Sequence, residues 1–158
     1  MSLPNHSTLF HAMPCITLQP DNYQTVLDTL QSDSWVIACL CATWCGTCRD
    51  YRAGFDELAD RHPDKHFIWI DIEDQAEVVG DLDVENFPTM LIQRGDIVTY
   101  FAPVLPDHRM VDRMLAAQLE QSVEALQKQA ASTEERIEWQ QNCNLRKMLR
   151  NALESADA

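Results

Sequence analysis

A chain of 158 residues with 46% apolar content can bury one core of ordinary size. Its formal net charge of −13 repels phosphate backbones and argues against a nucleic-acid partner. The longest mostly apolar stretch, Trp35–Ala42, falls far short of the about 20 residues needed to cross a bilayer.

Met1–Cys15 carries no Lys or Arg and no continuous apolar run, so no secretory signal is expected there. The cytosol is the expected compartment, and no membrane association is expected. Pro14–Leu18 reads as a first strand. Pro20-Asp21 opens a helical pattern with Tyr23, Val26, Leu27 and Leu30 on one face. Trp35–Ala42 is apolar on both alternating sets, as a strand buried on both faces should be. From about Cys45 the chain turns helical, with Tyr51, Phe55, Leu58 and Ala59 as the inner stripe, and Arg61-His62-Pro63 ends the helix. His66–Ile72 predicts a third strand, and Glu73–Leu82 a short helix with Val78, Val79 and Leu82 inward. Met90-Leu91-Ile92, the turn signal Arg94-Gly95-Asp96 and Ile97–Phe101 predict a β-hairpin. A helix is predicted from about Pro106, with Met110, Met114, Leu115 and Leu119 at helical spacing. The order β-α-β-α-β-α-β-β-α predicts an α/β fold, a central mixed sheet flanked by helices.

Beyond Leu119 the helical pattern continues through Val123, Leu126 and Ala130. Ser132-Thr133-Glu134-Glu135 matches a capping box with Ser132 as N-cap and Glu135 as its partner. It opens a second helix carrying Ile137, Leu145, Met148, Leu149 and Leu153. The chain is therefore divided into residues 1–119, the main domain, and residues 120–158, a helical extension read as a hairpin. The first part holds 18 acids against 7 bases and the second 7 against 5, so the acidity lies mainly in the body.

Four of the six cysteines (Cys39, Cys41, Cys45, Cys48) fall within ten residues. In a reducing compartment such a cluster points to redox chemistry or metal binding. Cys45 and Cys48 stand at the start of a predicted helix, whose free N–H groups and positive end stabilise a thiolate. The exposed first cysteine then attacks a disulfide, and the second, one turn on and more buried, resolves the mixed disulfide. Arg49 adds a nearby positive charge.

Ala42-Thr43-Trp44-Cys45-Gly46-Thr47-Cys48-Arg49 resembles the active-site loop of the thioredoxin family. Phe87-Pro88-Thr89 resembles that family's cis-proline loop, and the likeness runs from about Cys15 to about Leu119. The resemblance implies the thioredoxin fold with a C-terminal helical extension, and a protein-disulfide reductase activity with no cofactor and no metal. It implies Cys45 as nucleophile, Cys48 as resolving cysteine, and Trp44, Gly46, Thr47, Phe87 and Pro88 as substrate-binding residues. Its partners would be disulfide-bearing proteins and a thioredoxin reductase.

Several positions depart from the family pattern. Cys39 stands where the family has a buried aspartate, Cys41 where a tryptophan often stands, Trp69 near the place of a strand-borne lysine, and Pro103 near a rim glycine. Thr47 replaces the proline common inside the motif, which is expected to make the protein more oxidising than typical thioredoxins. Cys39 and Cys41 share one strand face. They read either as small buried hydrophobes or as a back-up thiol for the active pair, whereas Cys15 and Cys143 are expected to be inert. His6, His11, His62, His66 and His108 show no ligand spacing and are expected at the surface. Two other functions stay open. One is a four-thiolate metal site from Cys39, Cys41, Cys45 and Cys48. The other is a chaperone or interaction module whose residues 120–158 form a dimer or bind a client.

Overall fold

The computed structural model describes residues 15–157 apart from 32, 81, 83 and 106. Within these residues the elements run β1 (Cys15–Thr17), α1 (Tyr23–Thr29), β2 (Trp35–Cys41), α2 (Gly46–Arg61), β3 (His66–Asp71), α3 (Ala76–Val79), β4 (Thr89–Arg94), β5 (Ile97–Pro103), α4 (His108–Leu119), α5 (Val123–Ala130), α6 (Glu134–Asn142) and α7 (Leu145–Asp157). The five strands form one sheet in the order β1-β3-β2-β4-β5. β3 lies parallel to β1 and β2, while β4 runs antiparallel to β2 and β5. The mixed sheet and flanking helices are those the sequence predicts.

β2 is the central strand, and every one of its residues is buried. Alternation splits it between two cores. Val36, Ala38 and Leu40 face a cluster completed by α1, α3, α6 and α7. Trp35, Ile37, Cys39 and Cys41 face a second cluster under α2, α4 and α5. In that second cluster Phe55 of α2 is wholly buried and meets Phe67 of β3 edge-on at 5.6 Å. Burying such a ring contributes about 1.5–3 kcal/mol and fixes how α2, the helix that follows Cys45, lies on the sheet.

Local chemistry moves several predicted boundaries. β1 covers Cys15–Thr17, with Leu18 just beyond it and buried; Pro14 lies outside the described residues. Pro20–Asn22 forms a single 3-10 turn before α1. The helix predicted over Glu73–Leu82 shrinks to α3, because the Asp71 carboxylate accepts the N–H groups of Glu73 and Asp74 at 2.9 and 3.0 Å and holds them in a turn. Gly95 takes a positive φ of 57° in the β4–β5 turn, a conformation glycine adopts without steric cost. Asp107 caps α4 by accepting the Arg109 N–H at 3.0 Å. Val111 and Leu115 become the buried positions of α4, and Met110 is exposed. His62 and His66 are half-buried rather than exposed. The His62 ring stacks on Phe67 and bonds Asp112 at 3.0 Å, whereas His6 and His11 lie outside the described residues.

Residues 120–157 form three helices in place of a two-helix hairpin. Ser122 caps α5 through the Ala125 N–H. Thr133, not Ser132, caps α6 through the Arg136 N–H, while the Ser132 hydroxyl donates to the Gln129 carbonyl and closes α5. Cys143 and Asn144 break the predicted second helix into α6 and α7. Ile137 is exposed and Trp139 takes the buried place on α6. α5 and α6 lie against β5, and α7 packs on α1 and α3. Leu126 enters one core, and Trp139, Leu145, Leu149 and Ala152 enter the other.

The junction is fixed by amides. Gln140 of α6 donates to the Val98 carbonyl and accepts the Val98 N–H, both at 2.8 Å. Its side chain thus stands in for a neighbouring strand along β5. Gln93 of β4, wholly buried, donates to the Asn144 side-chain oxygen at 2.7 Å and accepts the Leu145 N–H at 2.8 Å.

Candidate active site

β2 ends at Cys41, and the chain turns into α2 within four residues. The Cys45 N–H donates to the Ala42 carbonyl at 3.0 Å, which closes that turn. The Thr43 hydroxyl bonds the Asp71 carboxylate, and Arg49 donates to the Thr43 carbonyl at 2.7 Å. The turn is therefore tied to β3 on one side and to α2 on the other. Cys45 is the N-cap residue of α2, with extended φ and ψ of −84° and 113°, and Gly46 is the first helical residue. A Cβ on Gly46 would lie 3.7 Å from the Arg49 guanidinium, an ordinary contact.

The two motif sulfurs occupy opposite environments. Cys45 is partly exposed. The Cys48 amide, then the Cys48 thiol and the Thr47 amide and hydroxyl, hold its thiol below the ordinary range against the opposing effect of burial. Cys48 is 1% exposed, and burial followed by the neighbouring Cys41 side chain pushes its thiol far up. One turn of helix therefore separates a sulfur whose ionisation is favoured from one whose ionisation is opposed.

Trp44 is 65% exposed, and its indole meets the Phe87 ring edge-on at 5.5 Å. The Phe87–Pro88 peptide bond is cis. The Pro88 carbonyl accepts the Val104 N–H at 3.0 Å, tying that loop to the end of β5. The structure thus brings Trp44, next to Cys45 in the chain, into contact with Phe87, while Gly46 and Thr47 open the helix and Pro88 follows Phe87 through the cis bond. Leu105 and Met110, exposed just beyond β5 and on α4, extend the apolar surface on the Val104 side.

Cys39 and Cys41 are wholly buried, with their sulfurs 3.6 Å apart. Cys41 and Cys48 belong to the same core cluster. Both line a cleft of about 310 Å³ with Thr43, Arg49, Arg52 and Asp71. Trp69 also walls this cleft, under the Arg52 guanidinium at 4.9 Å from the ring centre. Helical periodicity assigns Tyr51 to the core alone, yet its place in the structure is beside the cysteines. Its hydroxyl is buried without a hydrogen-bond partner and lies within electrostatic reach of Cys39 and Cys41. Its position three residues after Cys48 puts it on the same helix face, a signal present in the sequence. Cys15 and Cys143 are set apart, their thiols pushed by burial to about 12 and about 11. Among the described residues no group of three or more His, Cys, Asp or Glu side chains converges to hold a metal ion, and no helix is long and apolar enough to cross a membrane.

This arrangement places a pair of cysteines at a helix start on a thioredoxin fold. The Thioredoxin family model matches residues 14–116, and the chain belongs to the thioredoxin family, whose members are thiol–disulfide oxidoreductases. The chain is 32% identical over 96 residues to Thioredoxin H-type of Picea mariana, covering 59% of this chain and 67% of that one. It is 32% identical over 71 residues to Thioredoxin-2 of Pyricularia oryzae, covering 45% of this chain but only 42% of that protein. Among solved structures a poplar thioredoxin h aligns with a TM-score of 0.61 at 18% identity, over 69% of this chain and 99% of its own. A chain of a complex of ferredoxin:thioredoxin reductase with thioredoxin f2 aligns with a TM-score of 0.57 at 17% identity, over 67% and 96%. These structural likenesses speak for the fold.

Proposed function

We propose that this protein exchanges electrons with protein disulfides by cycling Cys45 and Cys48 between dithiol and disulfide. The observation that carries the reading is the opposed state of the two sulfurs. Cys45 sits at the N-terminus of α2 with its thiol held low, and Cys48 lies buried behind it with its thiol held high.

Cys45 attacks a substrate disulfide as a thiolate and expels one half of it as a thiol. Cys48 then loses its proton, attacks the Cys45 sulfur of the mixed disulfide and releases the second half. The protein is left with a Cys45–Cys48 disulfide, two electrons poorer. Trp44 and Phe87 offer the apolar surface on which a substrate segment rests, and Gly46, Thr47 and Pro88 shape the surface around the sulfur. An extended substrate backbone pairs with the main chain at Phe87. A thioredoxin reductase is the electron donor of this reading, a role suggested by the reductase–thioredoxin f2 complex. The cytosol suits a protein whose working pair must return to the dithiol form.

Insulin-disulfide reduction driven first by dithiothreitol and then by a thioredoxin reductase tests the reading. The wild type should precipitate insulin chains with both donors. Cys45→Ser should lose at least about a thousandfold, as expected when the nucleophile of a covalent route is removed. Cys48→Ser should accumulate mixed disulfides seen on a non-reducing gel. Full biological function in Cys45→Ser would instead favour the interaction-module reading.

A further inference from the structure

The four clustered cysteines share one core cluster: Cys41 and Cys48 line one cleft behind the motif, and the Cys41 sulfur lies 3.6 Å from that of Cys39. We propose that Cys41 is a third redox thiol, which attacks the Cys48 sulfur of the Cys45–Cys48 disulfide and moves the bridge to Cys41–Cys48. This rests on the dithiol cycle proposed above.

Three features support attack at that sulfur. Cys48, and not Cys45, lines the cleft behind the motif together with Cys41. The group expelled is Cys45, whose thiol is held low, and exchange is faster the more acidic the leaving thiol. The Tyr51 hydroxyl, buried without a hydrogen-bond partner among the described residues and in the same core cluster as Cys41, is a donor with no other task as Cys41 ionises. An orphaned buried polar group of this kind calls for such an explanation.

The step needs no outside oxidant. The Cys39 side chain and burial push the Cys41 thiol up, so its S–H bond breaks as the new S–S bond forms, and the proton passes to solvent through the cleft that Cys41 lines. A Cys41–Cys48 bond forms, the Cys45–Cys48 bond breaks, and Cys45 leaves as a thiolate. The chain remains oxidised by two electrons throughout. The rearranged form carries a nucleophile with its resolving sulfur already bridged. A protein disulfide attacked by Cys45 in this form gives a mixed disulfide that Cys48 cannot release. The protein then acts as a holder of disulfide partners as well as a carrier of electrons.

The test tracks the bridge in the full-length protein. The wild type is oxidised briefly with diamide and desalted to remove the oxidant. Aliquots are then alkylated over hours and digested with pepsin at acid pH for mass spectrometry. The Cys45–Cys48 peptide pair should appear first. After the oxidant is gone it should decline while Cys41–Cys48 rises, with Cys45 alkylated to the same extent. Cys45→Ser, a change at a partly exposed position, should form Cys41–Cys48 directly on oxidation. A bridge that stays at Cys45–Cys48 throughout, or a Cys45→Ser protein that forms no Cys41–Cys48 bridge, would overturn the relay and leave the dithiol cycle standing. Absence of any Cys45–Cys48 bridge at the first time point would overturn both.

Discussion

Cys45 and Cys48 are the same side chain three residues apart, and what separates them is where α2 begins. The helix end favours the anion at Cys45, and the packed underside of the helix denies it to Cys48. Thr47 lies between them, and its hydroxyl also supports the Cys45 thiolate. Stabilising the reduced form in this way makes a disulfide more oxidising. The wild-type potential against glutathione should therefore lie above about −270 mV, and Thr47→Pro should move it down towards that value. A wild-type value at or below about −270 mV would remove the argument. The motif cysteines are legible in the sequence because their chemistry is local: the sulfur, the helix start and the preceding tryptophan are contiguous. The neighbourhood of Cys39 and Cys41 is only half legible. Strand parity places both on one face, but the place of Cys41 and Cys48 in one cleft depends on how α2 crosses β2, which no short window of sequence encodes.

At the scale of elements, the C-terminal helices are held by buried amides as much as by apolar packing. Gln93 is the centre of this arrangement, serving both Asn144 and the first N–H of α7. Gln93→Leu keeps the volume but strands the Leu145 N–H and removes a donor from the Asn144 side-chain oxygen, which keeps the Lys147 N–H, at about 1–3 kcal/mol for a buried polar group stranded. Urea unfolding should show the midpoint falling with the slope unchanged, and an unshifted midpoint would show that solvent replaces the lost bonds. Strand and helix order here is readable from periodicity alone. Helix ends are not, because neighbouring groups compete for the same cap. Ser132 and Thr133 both offer a hydroxyl, and the later cap prevails because Ser132 is engaged in closing α5. Likewise Ile137, expected inward, is exposed and Trp139 is buried in its stead, since α6 lies against β5 with Gln140 fixing its rotation.

For the molecule as a whole, the residues matched by the family end at 116, yet both cores draw on residues beyond that point. Leu126, Trp139, Leu145 and Leu149 are buried, and at about 1.5–3 kcal/mol apiece they supply an amount comparable with the 5–15 kcal/mol stability of a whole domain. A chain cut after residue 119 should therefore lose its cooperative thermal transition by circular dichroism. A truncated protein melting within a few degrees of the full chain would show residues 1–119 to be self-sufficient. The Gln140 clamp has a consequence in time as well as in space. Gln140 lies 37 residues beyond Pro103, so at ribosomal rates of about 5–20 residues per second β5 has been made for about 2–7 s before its edge can be covered. During synthesis this is the window in which an unpaired strand of the nascent chain is open to aggregation or to a chaperone.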